Sequence, residues 1–113
     1  MYLLFTVLNS EDIIEDLITG WIDLGITDST VIETTDALQL ISHQVPIFAG
    51  FRILTSGGVA HNKTIFTLIE KKKLLDQAIE YLKKICKNFD KSKMGAYFVV
   101  PIKEYGSLNL NEE

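Results

Sequence analysis

The chain has 113 residues, a length typical of one domain, and its 47% apolar and 23% charged residues are the composition of an ordinary globular protein. Its net charge of −4 argues against general nucleic-acid binding, which needs a basic surface. The single cysteine, Cys86, excludes an internal disulfide and predicts a reducing compartment, so we expect a cytoplasmic protein. With no basic leader and no apolar run long enough to cross a bilayer, we expect it not to be membrane-embedded.

The first third of the chain predicts a strand, a helix and a second strand. The apolar run "YLLFTVL" at 2–8 is typical of a buried strand. Apolar residues then recur at helical spacing over 14–22, and Gly25 is placed to end this helix in a left-handed conformation. Gly20 lies inside the helix, where close contact with the sheet would explain it. The alternating, β-branched run "STVIETT" at 29–35 predicts the second strand.

The second half of the chain repeats this order. "KTIFTLI" at 63–69 predicts a strand, and "AYFVVPI" at 96–102 predicts the last strand, followed by a C-terminal tail over 107–113. Between the two strands, 71–89 predicts an amphipathic helix with lysines and acids on its polar side. The apolar stripe of this helix consists of Leu75, Ala78, Ile79, Leu82, Ile85, Cys86 and Phe89.

The order β-α-β-connection-β-α-β predicts one domain over 1–113 with a ferredoxin-like α+β sandwich fold. In this fold four strands form one antiparallel sheet, and two helices cover one of its faces. The strands carry apolar residues at neighbouring positions, which indicates that both faces of the sheet are dry. Since the helices protect only one face, we expect a homo-oligomer that covers the other.

The connection over 36–62 is unusually long and apolar for a loop. It is interpreted either as a long loop or as an extra hairpin, in which 47–54 turns at 56–58 and pairs with the third strand. In both cases its apolar side chains are expected to contact a neighbouring subunit or a partner protein. The candidate contact residues are Val45, Ile47, Phe48, Phe51 and Ile53.

Two segments resemble a known family. "DLGITDSTVIET" at 23–34 is similar to the helix-to-strand segment of the nitrogen-regulatory PII-like signalling proteins, and "YFVVPIKE" at 97–104 is similar to their last strand. Strand order and chain length agree as well. The resemblance implies a homotrimer whose sheets face inward and a long loop after the second strand that senses partners. It also implies small effectors, often adenine nucleotides, bound in clefts between subunits.

The chain departs from the family where its members bind nucleotide. In place of their glycine-rich loop it has "NFDKSKMG" at 88–95, where Lys91, Lys93 and Gly95 remain as candidate contacts for an anion. After the last strand, where typical members have a basic pair, Lys103 is the only cation. We therefore expect a divergent PII-like protein whose effector is an adenine nucleotide or another small anion.

The connection offers a second group of cations. Arg52, the only arginine of the chain, could bind a carboxylate or phosphate through its planar fork, or pair with an acid across a subunit interface. His61 and Lys63 flank the predicted glycine turn at 57–58. They would complete an anion site with Arg52, or they would be solvated residues of a turn.

The sequence offers no catalytic motif. It contains neither Gly-x-Ser-x-Gly nor a P-loop, and His43 stands alone, whereas zinc needs three or four ligands. Cys86 lies in the apolar stripe of the second helix and is interpreted as a packing residue. We therefore expect a protein that is not an enzyme. The hypotheses are an effector-binding regulator, a constitutive oligomeric interaction protein without an effector, and a trimer similar to the CutA proteins.

Overall fold

The computed structural model of the chain describes residues 1–37, 41, 61–88 and 94–109. Within these ranges the chain forms four strands and two α-helices, in the predicted order, and a short 3-10 turn leads into the first helix. The elements are β1 (Tyr2–Leu8), α1 (Ile14–Asp23), β2 (Ser29–Thr35), β3 (His61–Ile69), α2 (Lys72–Lys87) and β4 (Gly95–Pro101). The predicted α+β class is confirmed.

The four strands form one sheet in the order β2-β3-β1-β4, and every neighbouring pair is antiparallel. Strand β3 lies between β1 and β2, and strand β1 lies between β3 and β4. Each β-α-β unit is thus split by a strand of the other unit, which is the ferredoxin-like arrangement. As a result β1 and β3 are central strands, and β2 and β4 are the edges.

The end of α1 confirms the predicted left-handed glycine. Gly25 has a φ of 90°, and its N–H donates to the carbonyl of Ile22 at 2.9 Å. The N–H of Ile26 donates to the carbonyl of Trp21 at 2.8 Å. These two bonds form a Schellman motif, which satisfies carbonyls that the helix leaves unpaired and turns the chain towards β2.

The core lies between the two helices and one face of the sheet. Trp21 is fully buried, and its indole N–H donates to the carbonyl of Ala78 at 3.1 Å, which joins α1 to α2. The predicted stripe of α2 faces this core over 75–86, and Phe89, its last member, lies outside the described residues. Ile22 differs from the prediction: 52% of it is exposed, because it follows Trp21 around the helix and points away from α2 and the sheet. The buried apolar residues are Leu4, Leu8, Ile13, Leu17, Trp21, Ile26, Ile65, Ile69, Leu75, Ala78, Leu82 and Ile85.

The other face of the sheet carries the alternate residues of each strand, and no helix of the described ranges packs on it. Its central side chains are apolar and only partly buried in a single chain. Phe98 is 52% exposed and Val100 is 44% exposed. We call this surface the open face. It consists of Leu3, Phe5, Val7, Thr30, Ile32, Thr34, Asn62, Thr64, Phe66, Leu68, Ala96, Phe98 and Val100.

Candidate functional site

Three phenylalanines occupy the centre of the open face, and we call them the phenylalanine cluster. The strand register places Phe5 of β1 opposite both Phe66 of β3 and Phe98 of β4. The Phe5 and Phe66 rings meet edge to face, with centroids 4.9 Å apart, and the Phe5 and Phe98 centroids are 5.7 Å apart. The cluster is therefore a continuous aromatic surface across three strands.

One corner of the open face is polar. The Thr34 hydroxyl donates to Oδ1 of Asn62 and lies 3.0 Å from the hydroxyl oxygen of Thr64. The two threonines and the asparagine stand on β2 and β3, beside the phenylalanine cluster. An interface on this face would thus combine an apolar centre with a hydrogen-bonding margin, the usual arrangement of protein interfaces.

Lys63, predicted as an anion ligand, is already close to acidic groups. Its Nζ lies 3.6 Å from a carboxylate oxygen of Glu11, and the register places it opposite Glu33. His61 is the first residue of β3, and its side chain is outside the described part of the structure. Both residues belong to β3 and pair with β2, so this strand begins two residues before the predicted start at 63. The glycine turn at 57–58 lies outside the described ranges, and the prediction that His61 and Lys63 flank it stays a prediction.

Gly95 has a clear backbone role. Its φ is 145°, and a Cβ at this position would lie 1.8 Å from the carbonyl oxygen of Val7. Next to it, the N–H of Asn9 donates to the carbonyl of Met94 at 2.8 Å. Glycine is needed here so that β4 can start close against the end of β1. Its predicted contact with an anion stays a prediction.

Lys103 lies at the opposite end of the sheet. The N–H of Ile102 donates to the carbonyl of Met1 at 3.0 Å, so the chain after β4 lies beside the start of β1. Lys63 and Gly95 instead pair with Leu8, the last residue of β1. Because a strand rises about 3.3 Å per residue, the two ends of β1 are about 20 Å apart. These predicted ligands therefore do not form one site within a single chain.

The remaining predicted contact residues lie outside the described ranges. Most of the connection over 36–62 also lies outside them, so the long loop and the extra hairpin both stay predictions. The roles of the contact residues stay predictions as well. The residues concerned are Val45, Ile47, Phe48, Phe51, Arg52, Ile53, Lys91 and Lys93.

A cleft of about 380 Å³ lies at the same end of the sheet as Lys103. It is bounded by the turn between α1 and β2, by the end of β3 and by the ring of Tyr105. Its charged lining residues are Asp28, Glu70 and Lys71, so carboxylates outnumber the ammonium group. Without cations from elsewhere, this cleft does not favour an anion. The sequence patterns gave no sign of it, because its walls come from separate parts of the chain.

The described residues contain no group of three or more histidine, cysteine, aspartate or glutamate side chains arranged to hold a metal ion. None of their helices combines the length and the apolar character that crossing a membrane requires.

Comparison with known proteins gave no match, either among protein-family models or among curated proteins. The resemblance of 23–34 and 97–104 to PII-like proteins accordingly stays a prediction.

Proposed function

We propose that the chain is the subunit of a non-enzymatic, PII-like regulatory protein of the cytoplasm. In this proposal three copies assemble through their open faces and bind a small anion, such as an adenine nucleotide, in the clefts between them. The connection over 36–62 then reports occupancy of the clefts to a partner protein. The observation that carries the proposal is the phenylalanine cluster at the centre of an uncovered sheet face.

The energetics of the open face favour association. Phe98 and Val100 are about half exposed, and the neighbouring Phe5 and Phe66 are only partly buried. Each Å² of apolar surface removed from water contributes roughly 25 cal/mol. A contiguous apolar surface of this kind marks an interface in a folded protein. The polar corner of Thr34, Asn62 and Thr64 would then fix how the subunits align, since its groups need matching partners.

The distribution of cations supports a site between subunits. Lys103 stands at one end of the sheet, and the chain that bears Lys91 and Lys93 enters β4 at the other end. Within one chain, an anion bound beside Lys103 would be about 20 Å from the start of β4. Where the ends of two subunits meet, lysines from both would surround the same anion, which charge-assisted hydrogen bonds would then hold.

The first experiment tests assembly by light scattering after gel filtration. We expect the mass of a trimer for the wild-type chain and of a monomer for Phe98→Lys, because a charge on the open face cannot be buried in the interface. Ile22→Lys is the matched control, since Ile22 is also 52% exposed but lies on α1, away from the open face. It should remain trimeric. A wild-type monomer, or a trimeric Phe98→Lys variant, would contradict assembly through this face.

The second experiment tests effector binding by thermal shift with ATP, ADP, AMP, a cyclic nucleotide, 2-oxoglutarate and bicarbonate. A ligand at 100 times its dissociation constant adds about 2.7 kcal/mol to the free energy of unfolding, which raises the melting temperature measurably. The shift should be lost in Arg52→Ala and in Lys103→Gln while the trimer persists. It should also be absent from the monomeric Phe98→Lys variant, because the site needs two subunits.

The second candidate function is a constitutive oligomeric interaction protein without an effector. The ion pair of Lys63 with Glu11 favours it, because one predicted anion ligand already has a structural partner. In that case no anion shifts the melting temperature, and Arg52→Ala weakens assembly itself. A trimer similar to the CutA proteins would share the fold.

A further inference from the structure

A second cavity, of about 180 Å³, lies between β1, α2 and β4 on the helix side of the sheet. Its walls are almost entirely apolar and include Leu8, Leu82, Met94 and the ring of Tyr97. The thiol-bearing residue Cys86 also lines it. A water molecule occupies about 30 Å³ in the liquid, so the volume corresponds to about six waters. The cavity is therefore large enough for a small organic molecule.

A buried hydroxyl without a partner lines this cavity. Thr6 is fully buried, and its Oγ1 forms no hydrogen bond with any residue that the structure describes. Buried polar groups are almost always hydrogen-bonded, because an unpaired one loses its contacts with water and gains nothing in return. The Thr6 hydroxyl thus has an unmet hydrogen bond beside the cavity, and because less than 1 Å² of its Oγ1 is accessible, a molecule in the cavity reaches it only when a neighbouring side chain moves.

A cation stands at the solvent side of the same cavity. Lys83 lines it and is exposed, and its Nζ lies 5.7 Å from the centroid of the Tyr97 ring. In the described ranges Lys83 has no carboxylate within ion-pair distance. Its ammonium group is therefore available to a bound anion, whereas Lys72 on the same helix is paired with Asp76.

We propose that this cavity binds a small organic acid with two oxygen-bearing ends. The carboxylate of the ligand pairs with Lys83 at the solvent side, and its short apolar middle packs against Leu82 and Met94. Side chains beside Thr6 move apart on binding, and a carbonyl oxygen at the far end of the ligand then accepts a hydrogen bond from Thr6. The site lies within one subunit. It does not depend on the trimer or on the anion site between subunits, so either proposal can fail without the other.

Cys86 provides a reporter of occupancy, because it is the only cysteine of the chain and lines the cavity. Burial raises the pKa of its thiol above the usual range. Alkylation by iodoacetamide needs the thiolate, so its rate is measured at alkaline pH.

The probe is levulinate, a short acid with a carboxylate at one end and a keto group near the other. We expect levulinate to slow the alkylation of Cys86 at least fivefold, with saturation in the millimolar range.

Two analogues of levulinate and two variants show which residue each end of the ligand contacts, and a third variant is the control. Pentanoate lacks the keto group, and methyl propyl ketone lacks the carboxylate. Thr6→Val keeps the shape of the side chain without its hydroxyl, so it should abolish the preference for levulinate over pentanoate. Lys83→Gln should abolish the preference for levulinate over methyl propyl ketone. Lys84→Gln, the same change one residue along α2, is the matched control and should behave as wild type.

Three results would overturn the proposal. The first is an alkylation rate that levulinate does not change, which would mean that water alone occupies the cavity. The second is protection that does not saturate, and the third is protection that Thr6→Val and Lys83→Gln leave as in wild type. If Thr6→Val does not fold, Thr6→Ser retains the hydroxyl and should retain the preference for the keto group. Amide NMR shifts at Leu82 and Tyr97 on adding levulinate report the same binding without the thiol.

Discussion

At the scale of single residues, Gly95 is the described glycine that leaves the least room for a side chain. It pairs with Leu8 at the start of β4, and its φ of 145° is a conformation that other residues rarely adopt. A methyl group there would overlap the carbonyl oxygen of Val7, which belongs to a central strand and cannot easily move. Gly95 was predicted as an anion contact because 88–95 takes the place of the glycine-rich loop of PII-like proteins. In the structure, glycine is needed at this position because of β1, a strand that is distant in sequence.

We therefore expect Gly95→Ala to lower the free energy of unfolding by about 2 kcal/mol or more, from backbone strain together with the overlap. The measurement is urea denaturation followed by circular dichroism. Gly106→Ala is the control, because a Cβ at Gly106 would meet no atom of the described residues within 4 Å. It should change stability by less than about 0.5 kcal/mol. Equal stability of the two variants would show that β4 can start without the close contact.

At the scale of elements, the two helices are joined more closely than their amphipathic patterns predict. The indole of Trp21 bonds to the backbone of α2, and the Tyr81 hydroxyl of α2 donates to the carbonyl of Asp16 at 3.3 Å. Gly20 was expected to contact the sheet, but a Cβ there would lie 2.1 Å from the ring of Tyr81. The sequence shows that α1 has a glycine, and therefore no side chain, at position 20. It does not show which neighbouring residue occupies the space beside that glycine.

Trp21→Phe tests this joint between the helices. It removes the hydrogen bond to Ala78 and part of a fully buried ring, so we expect a loss of about 2–4 kcal/mol in the free energy of unfolding. Circular dichroism must follow the unfolding, because Trp21 is the only tryptophan of the chain. Ile22→Val, on the exposed side of α1, should change stability by less than about 0.5 kcal/mol. A similarly small effect of Trp21→Phe would mean that the indole N–H contributes little to helix packing.

At the scale of the whole molecule, local patterns predicted the elements and their order, because strand alternation and helical spacing depend only on nearby residues. The Gly25 turn was predictable for the same reason. The site was harder, since it depends on register and on contacts between distant segments. The pairing of Phe5 with Phe66 and Phe98 follows from the sheet order, and no local pattern contains it. The cavity beside Thr6 and the ion pair of Lys63 with Glu11 likewise join separate elements.

The central position of β1 also affects how the protein is made. This strand leaves the ribosome before the other strands, but both of its neighbours, β3 and β4, belong to the second half of the given sequence. Contacts between segments so far apart in sequence form slowly. A nascent chain therefore carries the apolar residues of β1 unpaired until β3 has been synthesised, and the other edge of β1 stays open until β4 follows. In this interval we expect the chain to be most prone to aggregate and to bind chaperones that shield apolar strands.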